Sequence, residues 1–190
     1  MWFSTITLLT IATINKWHSI QVDFVPAYPQ APIKYNLYME FPKGFHTKEV
    51  YGWTHVLQLL KNLYGQKQAG WVWNHHLNYA LNSIGFKQSD VDDCVWYRYN
   101  TIFFCYVDDG IFVGPESNAT DVVIEEIRKV GLYIEDKGNI EDYLGVNIEE
   151  QDNGKIHLTQ PQRIYSIINN VNLPKNSAPQ QTPALSTKII

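Results

Sequence analysis

Two adjacent carboxylates, Asp108 and Asp109, sit between the apolar runs Ile102–Val107 and Gly110–Val113. Acids enclosed by buried strand residues are costly unless something compensates their charge. A divalent cation would do so, because Mg²⁺ accepts hard carboxylate oxygens and keeps coordination places for phosphate. A hairpin could present both acids at the rim of a sheet; the plainer alternative is an ordinary acidic turn between exposed strands. Asp23 offers a third carboxylate at the end of the apolar stretch 19–24. Alone it reads as a strand-end turn residue. Beside the Asp108–Asp109 hairpin in one sheet, three acids from two strands could hold two ions. One ion would activate a hydroxyl nucleophile and the other would neutralise a triphosphate and its leaving group.

The elements that must position these acids follow from periodicity and breakers. A helix is expected at about 4–15, with Leu8, Leu9, Ile11 and Ala12 buried, then a strand at 19–24. Pro26, Pro29 and Pro32 imply an extended, turning segment, since proline fixes φ and donates no hydrogen bond. A short strand at 38–41 and a turn at Pro42-Lys43-Gly44 come next. Trp73, Leu77, Ala80, Leu81 and Ile84 share one face of an expected helix over 71–84, which Gly85 stops. Strands at 94–99 and 102–107 flank a turn at Asn100-Thr101, and 110–113 continues as another strand. A second helix is expected over 121–130, with Thr120 as N-cap and a stripe of Val123, Ile127 and Val130. Stretches 143–149 and 155–158 suggest a hairpin across Asp152-Asn153-Gly154. A third helix over 162–171 carries Ile164, Ile167, Ile168 and Val171. The order predicts an α+β fold with a split βαβ core.

Composition bounds the possibilities. Of 190 residues, 45% are apolar and only 18% charged, which reads as globular. The net charge of −4 counts against autonomous tight binding to nucleic acid, for which a basic footprint is usual. Cys94 and Cys105 lack metal-ligand spacing and read as reduced core thiols of an intracellular protein. The apolar stretch 1–12 has no basic residue before Lys16 and is too short to span a bilayer, so no membrane association is expected.

At several places the residues resemble one family. Gln21-Val22-Asp23 with Ala27-Tyr28, followed by Leu37-Tyr38-Met39-Glu40-Phe41-Pro42-Lys43-Gly44-Phe45, looks like the first catalytic motif of copia-type LTR retrotransposon reverse transcriptases. Leu63-Tyr64-Gly65-Gln66-Lys67-Gln68-Ala69-Gly70 with Trp73 resembles that family's Leu-Tyr-Gly-Leu-Lys-Gln box. Tyr106-Val107-Asp108-Asp109 is similar to its acidic box, and Tyr143-Leu144-Gly145-Val146 with 155–160 resembles its primer-gripping hairpin. These motifs occur in the family's order over about residues 5–185.

The resemblance implies an RNA-directed DNA polymerase core that adds deoxynucleotides to a primer 3′-hydroxyl on an RNA or DNA template. It implies a palm fold: a split βαβ, ferredoxin-like antiparallel sheet with helices on one face. Asp23, Asp108 and Asp109 would be the catalytic ligands of two Mg²⁺ ions, or of Mn²⁺. Phe24, Tyr28, Tyr64, Gly65, Lys67 and Gln68 would line the nucleotide side of the cleft. There Tyr28 would exclude a ribose 2′-hydroxyl, and Gly65 would allow close backbone approach. Tyr143, Leu144 and Gly145 would grip the primer. Residues 1–173 would be the palm with incomplete fingers, and 174–190 a linker or the start of a connection region. Polyprotein partners would include ribonuclease H and integrase, in a cytoplasmic virus-like particle or the nucleus. Three departures are Gln66, where the family has a bulky apolar residue, Gly70, where it has proline, and Pro26 inside the first motif, which restricts Val25 to extended geometry. An inactive, truncated remnant serving as a palm-like interaction module is the alternative implied by a missing fingers segment. Two further clusters read blandly: Asp90-Val91-Asp92-Asp93 as a solvated turn, and His75-His76 as helix neighbours that cannot jointly face one metal.

Overall fold

The computed structural model describes residues 2–45, 55–115, 117–151 and 154–171. In chain order they form α1 (Trp2–Asn15), β1 (His18–Asp23), α2 (Ala27–Gln30), β2 (Pro32–Met39), β3 (Leu57–Lys61), α3 (Ala69–Ser83), β4 (Lys87–Gln88), β5 (Val95–Arg98), β6 (Thr101–Tyr106), β7 (Asp109–Gly114), α4 (Ser117–Lys129), β8 (Glu135–Asn139), β9 (Asp142–Tyr143), β10 (Val146–Glu150), β11 (Ile156–Thr159) and α5 (Pro161–Val171). The expected linker from Pro174, and Asp152-Asn153 of the expected turn, lie outside the described residues.

The mixed α/β fold centres on a six-stranded antiparallel sheet in the order β4-β5-β6-β7-β1-β8. Successive side chains of a strand point to opposite faces, and both faces here are apolar. Val22, Phe103, Cys105 and Phe112 pack with Val72, Trp73, Leu77 and Leu81 of α3 and Val123, Ile124 and Ile127 of α4. Phe104, Ile111 and Val113 face the other way, against Leu8, Leu9 and Ala12 of α1 and Tyr143 and Ile148 of the small sheet β11-β10-β9. The expectation of helices on one face is therefore corrected: α1 covers the second face, because that face also buries large side chains.

Several boundaries move for local reasons. The proline-rich stretch contains a turn of helix, α2, in which Pro29 lies within the first turn, where its missing N–H has no intrahelical partner to lose. Helix α4 begins at Ser117, so Thr120 is buried inside it and is not its N-cap. The β5–β6 turn is Tyr99-Asn100, with Tyr99 at φ +51°. The expected strand 143–149 is broken by a two-residue turn at Leu144 (φ +51°) and Gly145 (φ +78°), the sign pattern of a type I′ turn. Helix α3 closes as expected: Phe86 N–H donates to Leu81 O and Gly85 N–H to Asn82 O, at 3.0 Å each, with Gly85 at φ +88°.

Candidate active site

Strands β6 and β7 pair through Tyr106 opposite Asp109, leaving Val107-Asp108 as a two-residue turn. Val107 takes φ +59° and Asp108 does not share the positive sign, as in a type II′ hairpin turn. A β-branched residue is strained there and persists only where its surroundings impose the geometry. Three hydrogen bonds do so, one to each successive carbonyl. Trp73 Nε1 donates to Val107 O at 2.8 Å, Phe24 N–H to Asp108 O at 2.9 Å and Tyr143 Oη to Asp109 O at 2.9 Å. Cys105 Sγ adds a weak donor to Val107 O at 3.5 Å.

The register places Asp23 directly opposite Asp109 across the β1–β7 pair. Strand alternation puts both on the face that carries Ile111 and Val113, away from α3 and α4. Gly110 makes this approach possible: a Cβ there would lie 2.7 Å from Phe103 Cε2 and 2.8 Å from Val22 Cγ2.

Charge crowds the turn. Burial pushes the Asp109 carboxyl up, and Asp23, Asp108 and then Asp142 push it further. The compensating cation is Lys137 on β8, whose Nζ lies 3.6 Å from Asp23 Oδ2 and 2.8 Å from Glu135 Oε2. Hydrogen bonding to Glu135 is the main reason that the Lys137 ammonium is held above its usual range. Asp108 has a different partner: Tyr64 Oη donates to its Oδ1 at 2.6 Å and accepts from Ala27 N–H at 3.1 Å. Burial and that carboxylate bond push the Tyr64 hydroxyl up to about 12. The Tyr64 ring stacks on Tyr28 with centroids 4.5 Å apart. Gly70 lies against Tyr28: a Cβ there would sit 3.3 Å from its Oη, close enough to ask for a small shift of the ring.

The donor set is all carboxylate, which suits a hard cation such as Mg²⁺ or Mn²⁺ and not a soft one. The repulsion on Asp109 that Lys137 offsets only in part is what such a cation would relieve. As the side chains stand, no three His, Cys, Asp or Glu groups among the described residues are gathered around one metal position.

The structure thus brings Asp23, Asp108, Asp109, Tyr28 and Tyr64 together and separates others from them. Phe24 is fully buried, its ring edge-on to Trp73 and Phe103, so only its backbone serves the turn. Tyr143 is likewise fully buried and supports Asp109, which leaves Leu144 and Gly145 to form the hairpin tip. Gly65 takes φ +93°, a conformation that favours glycine, and no protein atom lies within 4 Å of the position a Cβ would take. Lys67 is exposed, and Gln68 precedes α3 without a side-chain capping bond. Among the decoys, Asp92 is not merely solvated: it accepts from Cys94 N–H at 2.9 Å and from Ser4 Oγ. His75 packs on Trp71 and His76 towards Trp73. Cys105 is buried as expected, while Cys94 is only half-buried. Lys137, the Trp73 indole donor and Asp142 escaped the sequence reading. Of these only Trp73 carried a signal, as part of the box 63–73.

A family model described as reverse transcriptase (RNA-dependent DNA polymerase) matches residues 2–186. A putative transposon Ty5-1 protein of Saccharomyces cerevisiae is 31% identical over 143 residues, covering 73% of this chain and 45% of that protein. The retrovirus-related Pol polyprotein from transposon TNT 1-94 of Nicotiana tabacum is 29% identical over 93% of this chain and 14% of its own length. The transposon Ty1-DR5 Gag-Pol polyprotein of S. cerevisiae is 27% identical over 92% of this chain and 10% of its own length. The chain therefore spans less than half the length of these relatives.

Proposed function

Because the chain belongs to the reverse transcriptase (RNA-dependent DNA polymerase) family, in its copia-type transposon branch, we propose that it is the palm of an RNA-directed DNA polymerase. In this reading Asp23, Asp108 and Asp109 form its nucleotidyl-transfer site. The observation that carries the reading is the in-register pairing of Asp23 with Asp109 beside a strained, triply braced turn. The arrangement β6-β7-β1-β8 with α3 and α4 on one face supports the palm assignment, since it is the strand order of a split βαβ sandwich.

The chain's own groups would act as follows. The Val107-Asp108 turn holds two carboxylates rigidly at the sheet end, and β1 presents the third opposite them. Divalent ions of the Mg²⁺ or Mn²⁺ kind, when bound by these acids, supply nucleophile activation and neutralisation of the triphosphate. Tyr28 and Tyr64 form an aromatic wall beside Asp108, suited to packing against the sugar of an incoming deoxynucleotide. Lys67 and Gln68, on the loop entering α3, would line the nucleotide and template side, and the Leu144-Gly145 tip would contact the primer. The remaining polyprotein, with ribonuclease H and integrase, would supply further surfaces inside the cell.

Primer extension on an RNA template with Mg²⁺ or Mn²⁺ tests this. Extension should fall at least about 10³-fold in Asp108→Asn, the scale on which electrostatic stabilisation of a transition state operates. Activity equal in the wild type and Asp108→Asn would sink the assignment. A chain that neither extends primers nor binds metal would leave only the interaction-module reading.

A further inference from the structure

Two of the acids assigned to metal binding, Asp23 and Asp108, are engaged by the protein's own Lys137 and Tyr64, and the second contact has the form of a removable stop. Tyr64 reaches Asp108 Oδ1 at 2.6 Å, with its hydroxyl anchored from behind by Ala27 N–H at 3.1 Å. Its ring lies against Tyr28 at 4.5 Å and is half exposed. Tyr64 belongs to the loop between β3 and α3, beside Gly65 at φ +93°. It therefore holds an acid of the β6–β7 turn from outside the central sheet, and its half-exposed position lets the hydroxyl release Asp108 without unpacking the core. Residue 70, glycine in this chain, lies against Tyr28, the other half of the stack.

We propose that Tyr64 is a displaceable latch on Asp108: in the resting chain its hydroxyl occupies an oxygen for which a divalent cation must compete. The inference rests on the metal-site reading of Asp23, Asp108 and Asp109. Loading the site then requires the Tyr64 hydroxyl to release Asp108, and the freed ring stays stacked on Tyr28 as the wall of the nucleotide side. Tyr64 is a positioning residue, acting through Asp108.

Mn²⁺ binding, read from loss of the free-ion electron paramagnetic resonance signal, tests the latch without any assay of activity. Tyr64→Phe keeps the ring and removes only the hydroxyl, and it should bind Mn²⁺ about tenfold more tightly than the wild type, the scale of one hydrogen bond to a charged acceptor. Asp108→Asn should weaken binding in either background. Equal affinity in wild type and Tyr64→Phe, with Asp108→Asn still weakening it, overturns the latch and leaves the metal site standing. No Mn²⁺ binding in either chain overturns both. A second readout covers a variant that folds poorly: in wild-type chain labelled with ¹³C-tyrosine, Mg²⁺ should shift the Tyr64 ring resonance. A Tyr64 resonance unmoved by saturating Mg²⁺ likewise overturns the latch.

Discussion

Burial and three neighbouring carboxylates, those of Asp23, Asp108 and Asp142, all disfavour the charged form of Asp109. Its folded-state pKa lies above the unfolded value, so the unfolded chain loses that proton first. Stability is then lost as pH rises from the unfolded carboxyl value, about 3.9, through the folded one. In metal-free buffer at pH 7, Asp109→Asn should raise the melting temperature, by no more than about 2–4 °C for a gain of about 1 kcal/mol. That advantage should disappear near pH 3, where Asp109 is protonated in both states. Saturating Mg²⁺ should reverse the order of the two proteins, because ligand bound only to the folded state stabilises it. Thermal melts at both pH values and with Mg²⁺ check all three outcomes. At this scale the three acids could be read from sequence because apolar strands surround them. The burial of the Phe24 side chain was also within reach, since alternation continued one residue past β1 puts it on the face opposite Asp23. Lys137 was not, because a lysine next to Glu135 and Asp136 looks like any solvated charge.

For single elements, the hairpin shows how backbone and packing constraints meet. Gly110 follows the acid pair, and a methyl group there would collide with Phe103 and Val22 in the packed core. Gly110→Ala should therefore destabilise the chain by about 1–3 kcal/mol, the usual cost of overpacking, although alanine suits strands better than glycine. Urea titration measures this, and an unchanged midpoint would show that the two side chains move aside freely. Helix α3 was legible from its apolar spacing and its terminal glycine, both local signals. The start of α4 was not: Thr120 has the chemistry of a cap, yet it is buried within the helix, a choice made by packing. The break at Leu144-Gly145 escaped for a similar reason, since leucine at positive φ carries no turn signal of its own.

Across the whole molecule, the sheet needs cover on both faces. α1 supplies part of the second layer through Leu8, Leu9 and Ala12, above Phe104, Ile111 and Val113. Leu9→Ala should cost about 2–4 kcal/mol and widen exposure of that face, readable as a lower denaturant midpoint and increased binding of a hydrophobic dye. Retention of the wild-type midpoint would mean that the layer is dispensable. The order of strands and helices was readable from alternation and breakers, so the mixed fold and the adjacency of Asp23 to the acid hairpin followed. Two-sided burial was harder to read, because a continuous apolar run such as 102–105 does not say which layer meets which side.

The three carbonyls of the Val107–Asp109 turn are held from positions 24, 73 and 143. Those anchors are spread along most of the described chain, so full bracing of the turn needs contacts between segments far apart in sequence. A growing chain released only as far as β7 has its acids but lacks the Tyr143 anchor, which arrives 34 residues after Asp109. Completion of the acid turn is thereby coupled to synthesis of the β9–β10 hairpin, and a chain interrupted before that hairpin carries the motif without its full geometry.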